Sequence, residues 1–169
     1  MLRPQDILVL LKVYLLGQDW TYSKLAKSLN ISSSEVHGAL KRCEESNLYR
    51  GEAKRVLRGS LEEFLIHGLK YAFPTRPGAL VTGIPTAHSA EPLKDLLVVN
   101  DRDVYVWEYE TGKVKGQAIK PLYRSVPKAA KEDRQLYELL SLVDGLRVGK
   151  MRERELAVKE LRKRLYGKS

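Results

Sequence analysis

A single cysteine, Cys43, stands in a chain of 169 residues. That excludes a disulfide framework and any multi-cysteine zinc site, and it fits a reducing compartment such as a cytoplasm. Long apolar runs are also missing. The nearest approach is Ile7–Leu11 with Val13–Leu16, preceded by Arg3, interrupted by Lys12 and followed by no small-residue cleavage site. Neither a membrane span nor a secretory leader is expected. Catalytic signatures are scarce as well. The three histidines, His37, His67 and His88, show no metal-ligand spacing, and neither H-E-x-x-H nor G-x-S-x-G occurs. The stretch Gly145-Leu-Arg-Val-Gly149-Lys150-Met151 superficially resembles a phosphate loop. It has three residues between its glycines where that loop has four, and Met where the loop has Ser or Thr, so it reads as an interhelical turn. The acidic pairs Glu62/Glu63 and Asp101/Asp103 read as a helix surface and a strand entry. No enzymatic activity, cofactor or metal is expected.

What is present is charge and apolar patterning. Thirty Lys and Arg oppose 21 Asp and Glu, giving a formal charge of +9 and a pI near 9.6. Such a surplus suits a polyanionic partner. The tail is richest, with 12 bases against 7 acids over residues 126–169, although a solvated helix face explains mixed charge equally well. An apolar content of 43% argues for a packed core.

Residues 5–17 read as a helix between Pro4 and Gly17. Its apolar residues nearly encircle the axis, so it is buried on more than one side. One side packs on its own domain, and the other is available to a second subunit. Residues 22–29 read as a short helix with Thr21 as N-cap and Asn30 as a left-handed stop. Ser32 and Glu35 form a capping box, with Ile31 and Val36 in the staple positions, opening a helix to about Ser46. Val36, Ala39, Leu40 and Cys43 form its inner face, which makes Cys43 a small core residue. Leu48–Arg50 and Lys54–Leu57 read as two strands. Ser60 and Glu63 form another capping box, opening a helix to about residue 72.

Residues 73–98 hold four of the seven prolines and read as an extended, surface-draped connector. Val104–Tyr109 and Val114–Ile119 read as a hairpin around Thr111-Gly112-Lys113. Its aromatics, Tyr105, Trp107 and Tyr109, together with Tyr123, suit core packing on a half-buried sheet. Helices follow at Arg134–Leu146 and Arg152–Leu165. The chain thus divides into 1–72, the connector 73–98, and 99–169 as a dimerisation or partner-binding region.

The series Leu25-Ala26-x-x-Leu29-x-Ile31-Ser32-x-x-x-Val36-x-x-Ala39-Leu40, followed by a two-strand ribbon, resembles the winged helix-turn-helix of MarR-like transcription regulators. The resemblance covers residues 5–58. It implies an α+β fold in which a winged helix-turn-helix precedes a small mixed domain with a β-hairpin and two C-terminal helices. It also implies a dimeric repressor that binds double-stranded DNA. In such proteins the second helix enters the major groove, N-terminal residues first. Ser33, Ser34, His37, Gly38, Lys41 and Arg42 become the reading residues, with Lys41 or Arg42 suited to guanine O6 and N7. Ser32 and Ser33 suit a phosphate at the helix N-terminus. Thr21, Tyr22 and Lys24 would hold backbone, and Arg50, Lys54, Arg55 and Arg58 would form a basic wing. Against this, residues 33–58 hold only six bases against four acids, Glu35, Glu44, Glu45 and Glu52. The alternative is a winged-helix protein-interaction component, such as an antitoxin-like or defence-operon partner, engaging another protein through residues 73–169.

Overall fold

The computed structural model describes residues 1–98 and 102–167; Asp101, one of the acidic pair noted above, lies outside them. The fold is α+β. Helix α1 (Pro4–Leu16) starts where Pro4 supplies a preset φ and Asp6 accepts the Arg3 N–H at 2.9 Å. It ends at Gly17, whose φ is +68°. Helices α2 (Tyr22–Leu29) and α3 (Ser33–Glu45) follow, then the paired strands β1 (Tyr49–Arg50) and β2 (Arg55–Val56). These elements stand where their caps and periodicity place them.

The next helix differs from expectation. Residues 58–72 form α4 (Arg58–Glu63), a π-helical turn (Phe64–Gly68) and α5 (Leu69–Ala72). The Ser60/Glu63 capping box does not form, because the helix has already begun at Arg58 with Leu57 as an N-cap lacking a side-chain bond.

Residues 73–98 are not a draped connector. They contain β3 (Leu80–Pro85) and two 3-10 turns, Ala87–Ser89 and Leu93–Asp95. Thr86, Ala87, His88 and Leu93 are buried. The strands β4 (Tyr105–Glu108) and β5 (Val114–Ala118) are not a hairpin either. Each runs antiparallel to β3, on Pro85–Gly83 and Gly83–Leu80 respectively, and they meet each other in parallel, Tyr105 opposite Gln117. The three strands close into a small barrel. Closure at this size brings backbones into contact. A Cβ on Gly83 would lie 1.8 Å from the Trp107 carbonyl oxygen, and one on Gly116 would lie 2.6 Å from that of Val104. Only glycine fits at these crossings.

Three helices complete the chain: α6 (Val126–Glu132), which sequence periodicity missed, α7 (Arg134–Val148) and α8 (Met151–Tyr166). The turn between α7 and α8 falls at Gly149-Lys150, as expected. Asp144 on α7 joins helix to barrel. Its carboxylate accepts Thr86 Oγ1 at 2.7 Å, Trp107 Nε1 at 2.6 Å and the Arg147 guanidinium at 3.0 Å. Burial pushes this carboxyl upward, against the pull of Arg147 and the other donors.

One apolar core runs through all three sequence segments. Its axis is α1, with Ile7, Leu8, Val9, Leu10 and Leu11 all at 0% exposure. The side of α1 that looked available to a second subunit is covered by α7 of the same chain. No helix among the described residues is long and apolar enough to cross a membrane.

Two glycine substitutions should act in opposite directions. Gly83→Ala drives a Cβ into a carbonyl group and is expected to cost about 3 kcal/mol or more. Gly59→Ala lies in α4 with nothing within 4 Å of the added methyl and should be neutral or stabilising by up to about 1 kcal/mol. Urea unfolding followed by tryptophan fluorescence checks both.

Candidate nucleic-acid interface

Helix α3 is locked in place from behind. Its inner residues Val36, Ala39, Leu40 and Cys43 are buried, and it packs on α1 and α2. Its start is fixed by a reciprocal capping box: Ser32 Oγ accepts the Glu35 N–H at 3.0 Å, and Glu35 Oε2 accepts the Ser32 N–H at 3.1 Å. The approach from α2 is equally defined. Thr21 caps Lys24 N–H at 3.1 Å, and Asn30 takes the left-handed conformation at φ 57°.

The side chains expected to read bases divide into two groups. Ser33, Ser34, His37 and Lys41 are exposed on the outer face of α3, and Ser32 is exposed at its start. Arg42 is turned inward. Its Nε and Nη2 donate to the two oxygens of Asp6 at 2.8 Å each, and Asp6 is fully buried. The geometry is bidentate and the guanidinium is spent on α1. Gly38 has a matching role. A Cβ there would lie 3.1 Å from Arg42 Nη1, so the missing side chain clears the path by which Arg42 folds back. Beside Arg42, the Cys43 thiol donates to the Asp6 carbonyl at 3.7 Å. Burial pushes its pKa up to about 12.

Thr21, Tyr22 and Lys24 are exposed at the start of α2. Tyr22 stacks on His37, with ring centroids 3.6 Å apart and planes 13° apart. The edge of Tyr22 meets buried Trp20 at 5.4 Å. On the ribbon side, Lys54 lies over the Trp20 ring at 4.4 Å and donates to the Trp20 carbonyl at 2.9 Å. A ladder of Lys54, Trp20, Tyr22 and His37 therefore joins the ribbon, α2 and α3 into one surface. Lys54 is a rung of that ladder rather than a free cation. Trp20 was missed by sequence reading, since it lies between two helices and on neither face.

On the ribbon, Arg50 and Arg55 are exposed and directly opposite each other in register. No acceptor among the described residues pairs with either. Arg58 stands apart. It belongs to α4, donates to the Leu165 carbonyl at 3.0 Å and lies over the Tyr166 ring at 4.7 Å, so it closes the C-terminal end of α8, where carbonyls lack helical partners.

Two of the four nearby acids also have internal work. Glu35 completes the capping box, and Glu44 accepts the Gly51 N–H at 2.9 Å, bracing the ribbon turn. Glu45 and Glu52 remain exposed. A further base arrives from far along the chain. Tyr123 OH lies 3.4 Å from Glu35 Oε1, and the exposed Arg124 sits over the Tyr123 ring at 4.9 Å, so a cation stands near the start of α3. The 88 residues between Glu35 and Tyr123 hide this approach from local patterns. Among the described residues, no group of three His, Cys, Asp or Glu side chains is placed to hold a metal ion.

Compared with family models, with curated proteins and with solved structures, the chain matches none. The functional reading therefore rests on this surface.

The Cys43 thiol gives a check on how firmly α3 is seated. It should resist Ellman's reagent in the native protein at mildly alkaline pH and react fully in guanidinium chloride. Rapid native reaction would mean that α3 detaches from α1.

Proposed function

We propose that residues 5–58, within the segment 1–72, form a winged helix-turn-helix and that the protein is a sequence-specific regulator of transcription, a repressor, bound to double-stranded DNA. Helix α3 enters the major groove with Ser33, Ser34, His37 and Lys41 toward the bases. Thr21, Lys24, Ser32 and Arg124 lie toward phosphates, and the β1–β2 ribbon carries Arg50 and Arg55 along the backbone. Arg42, Lys54 and Arg58 are scaffold residues in this reading.

The observation that carries the proposal is the Arg50–Arg55 pair. Like charges directly opposite on a two-stranded ribbon are destabilising, and here no carboxylate among the described residues pairs with them. The arrangement makes sense beside an external polyanion, where both cations release counterions from phosphates. A purely structural ribbon would gain from an acid or a threonine at either position. One α3 reads too few base pairs for genomic specificity, so two copies are expected on one duplex.

The test is fluorescence anisotropy across a salt series, with duplex DNA flanking the chain's own gene against a scrambled duplex. A preference of about a thousandfold, with two chains per duplex and a steep salt slope, is the expected result. Equal, weak and salt-insensitive binding would sink the proposal and leave the protein-interaction reading.

Three substitutions separate the roles. Lys41→Ala should weaken specific binding by roughly 1–3 kcal/mol and relax sequence preference. Arg55→Thr should weaken all duplexes alike and lower the salt slope by about 1, while leaving the free protein as stable or more so. Arg42→Ala strands a buried carboxylate and should cost roughly 2–4 kcal/mol of folding stability. Its surviving folded fraction should still discriminate between duplexes.

A further inference from the structure

A second surface lies along α8, away from α3. Two adjoining depressions, of about 640 and 400 Å3, share Glu155 and Val158. Together they follow the whole helix, from Met151 to Tyr166. At the N-terminal end the opposite wall is the π-helical turn and α5, which contribute Ile66, His67, Lys70 and Tyr71. The floor is apolar and open: Tyr71 is 75% and Met151 78% exposed, and Val158 lies between the two depressions. Large apolar side chains so exposed and so grouped mark a contact surface rather than ordinary solvated residues.

The rim decides what the groove accepts. Arg162 is already paired with Glu62 at 2.8 Å, and Lys163 with Glu160 at 2.9 Å. Lys70, Arg154 and Lys159 have no carboxylate partner among the described residues. Arg154 is the most telling of them. Its Nε is buried and has no hydrogen-bond acceptor, so the fold does not neutralise the guanidinium, and the side chain lines the first depression. Glu155 is the one acid lining either depression.

We infer that this groove docks an acidic amphipathic helix of another protein. Its apolar stripe would lie on Val158, Met151 and Ile66, and its carboxylates would meet Lys70, Arg154 and Lys159. A helix in a groove presents apolar anchors at i, i+3 or i+4, and i+7, and α8, at about 24 Å long, accommodates four turns. A second copy of this chain fits poorly. Packed in parallel about a two-fold axis, two α8 helices would set Arg154 and Lys159 against the same residues of the partner copy; packed antiparallel about Val158, they would set Arg154 against Arg162. A nucleic-acid backbone fits poorly as well, because the floor is apolar and Glu155 stands in the middle of it. The inference does not depend on DNA binding by α3.

The test uses the full-length, 15N-labelled chain titrated with two synthetic helical peptides. Both carry leucines at i, i+3, i+4 and i+7. One has glutamates at the remaining positions and the other lysines. The acidic peptide is expected to shift resonances confined to residues 62–71 and 151–167, at least tenfold more tightly than the basic one. The double variant Arg154→Glu, Lys159→Glu should reverse that preference. Lys159 is exposed and Arg154 half-buried, so Lys159→Glu alone, whose thermal unfolding should match the wild type, is measured beside the double variant and should weaken binding of the acidic peptide. If the variant fails to fold, the two peptides on the wild-type chain still decide the matter. No shifts up to millimolar acidic peptide would overturn the inference, as would equal binding of both peptides. A peptide-free dimer abolished by Met151→Glu would assign the groove to a second copy. Tighter displacement of the same resonances by a random duplex would assign it to nucleic acid. Either result also overturns the proposal.

Discussion

The rest of the structure depends on the burial of α1. A helix that is apolar around its whole circumference has no stable place at a surface. Ile7 through Leu11 and Val13, all at 0–1% exposure, are worth roughly 10–15 kcal/mol of gross burial, comparable with the whole net stability of a typical domain. That gain requires cover on every side. α2, α3 and β2 supply one side and α7 the other. Polar ties fix the helix along its length: Asp6 to Arg42, Lys12 Nζ to Asp133 at 2.5 Å, and Tyr14 OH to the Leu165 carbonyl at 2.6 Å. The two halves of the chain therefore share one core, and neither half can bury α1 without the other.

This constraint sets the candidate interface. A buried ion pair adds little net stability, since desolvation offsets the attraction, but its geometry is demanding. Arg42 reaches Asp6 in one rotation of α3 about its axis. That rotation turns Ser33, Ser34, His37 and Lys41 outward together, and the stack of His37 on Tyr22 then fixes α2 beside them. The outward face of α3 is thus determined by contacts on its opposite side. A loss of grip at Asp6 would rotate or loosen the face without touching any exposed residue.

Local signals in the sequence were reliable where the physics is local. Thr21, Asn30 and the Ser32/Glu35 box place α2 and α3 because caps act within one turn. The barrel was illegible because its rule is nonlocal. β4 and β5 look like a hairpin along the chain, and only the shared partner β3, which pairs with both at Gly83, makes them parallel neighbours. Pro85 and the prolines before it disguised the strand, and Gly83 and Gly116 carry a signal only once the crossing backbones are known. α6 is short and has Pro127 in its first turn, so its period is too brief to register. Arg42 was legible after all. It lies three residues beyond buried Ala39, about 60° from the inner stripe at 3.6 residues per turn. Its charge suggests a base-reading role, and the angle argues against it.

Charge counted along the chain also misplaces the electrostatics. Residues 126–169 carry the largest surplus, yet much of it is engaged internally. Arg147 is buried on Asp144, Arg164 bridges Glu138 and Glu160, Arg134 spans Glu91 and Glu138, and Arg162 and Lys163 hold Glu62 and Glu160. The ribbon carries fewer cations, but Arg50 and Arg55 face each other without a carboxylate between them. The same holds on α8, where Arg154 and Lys159 lack the carboxylates that Arg162, Lys163 and Arg164 hold. A cation that its own fold neutralises has little field left for a partner, whereas one that its fold leaves opposed to another cation is less costly once an anion arrives. The number of bases in a segment is therefore a weaker guide to its partner than the number that lack an internal acceptor. By that measure, Arg50 and Arg55 on the ribbon and Lys70, Arg154 and Lys159 beside α8 keep a charge that the paired cations of the tail do not.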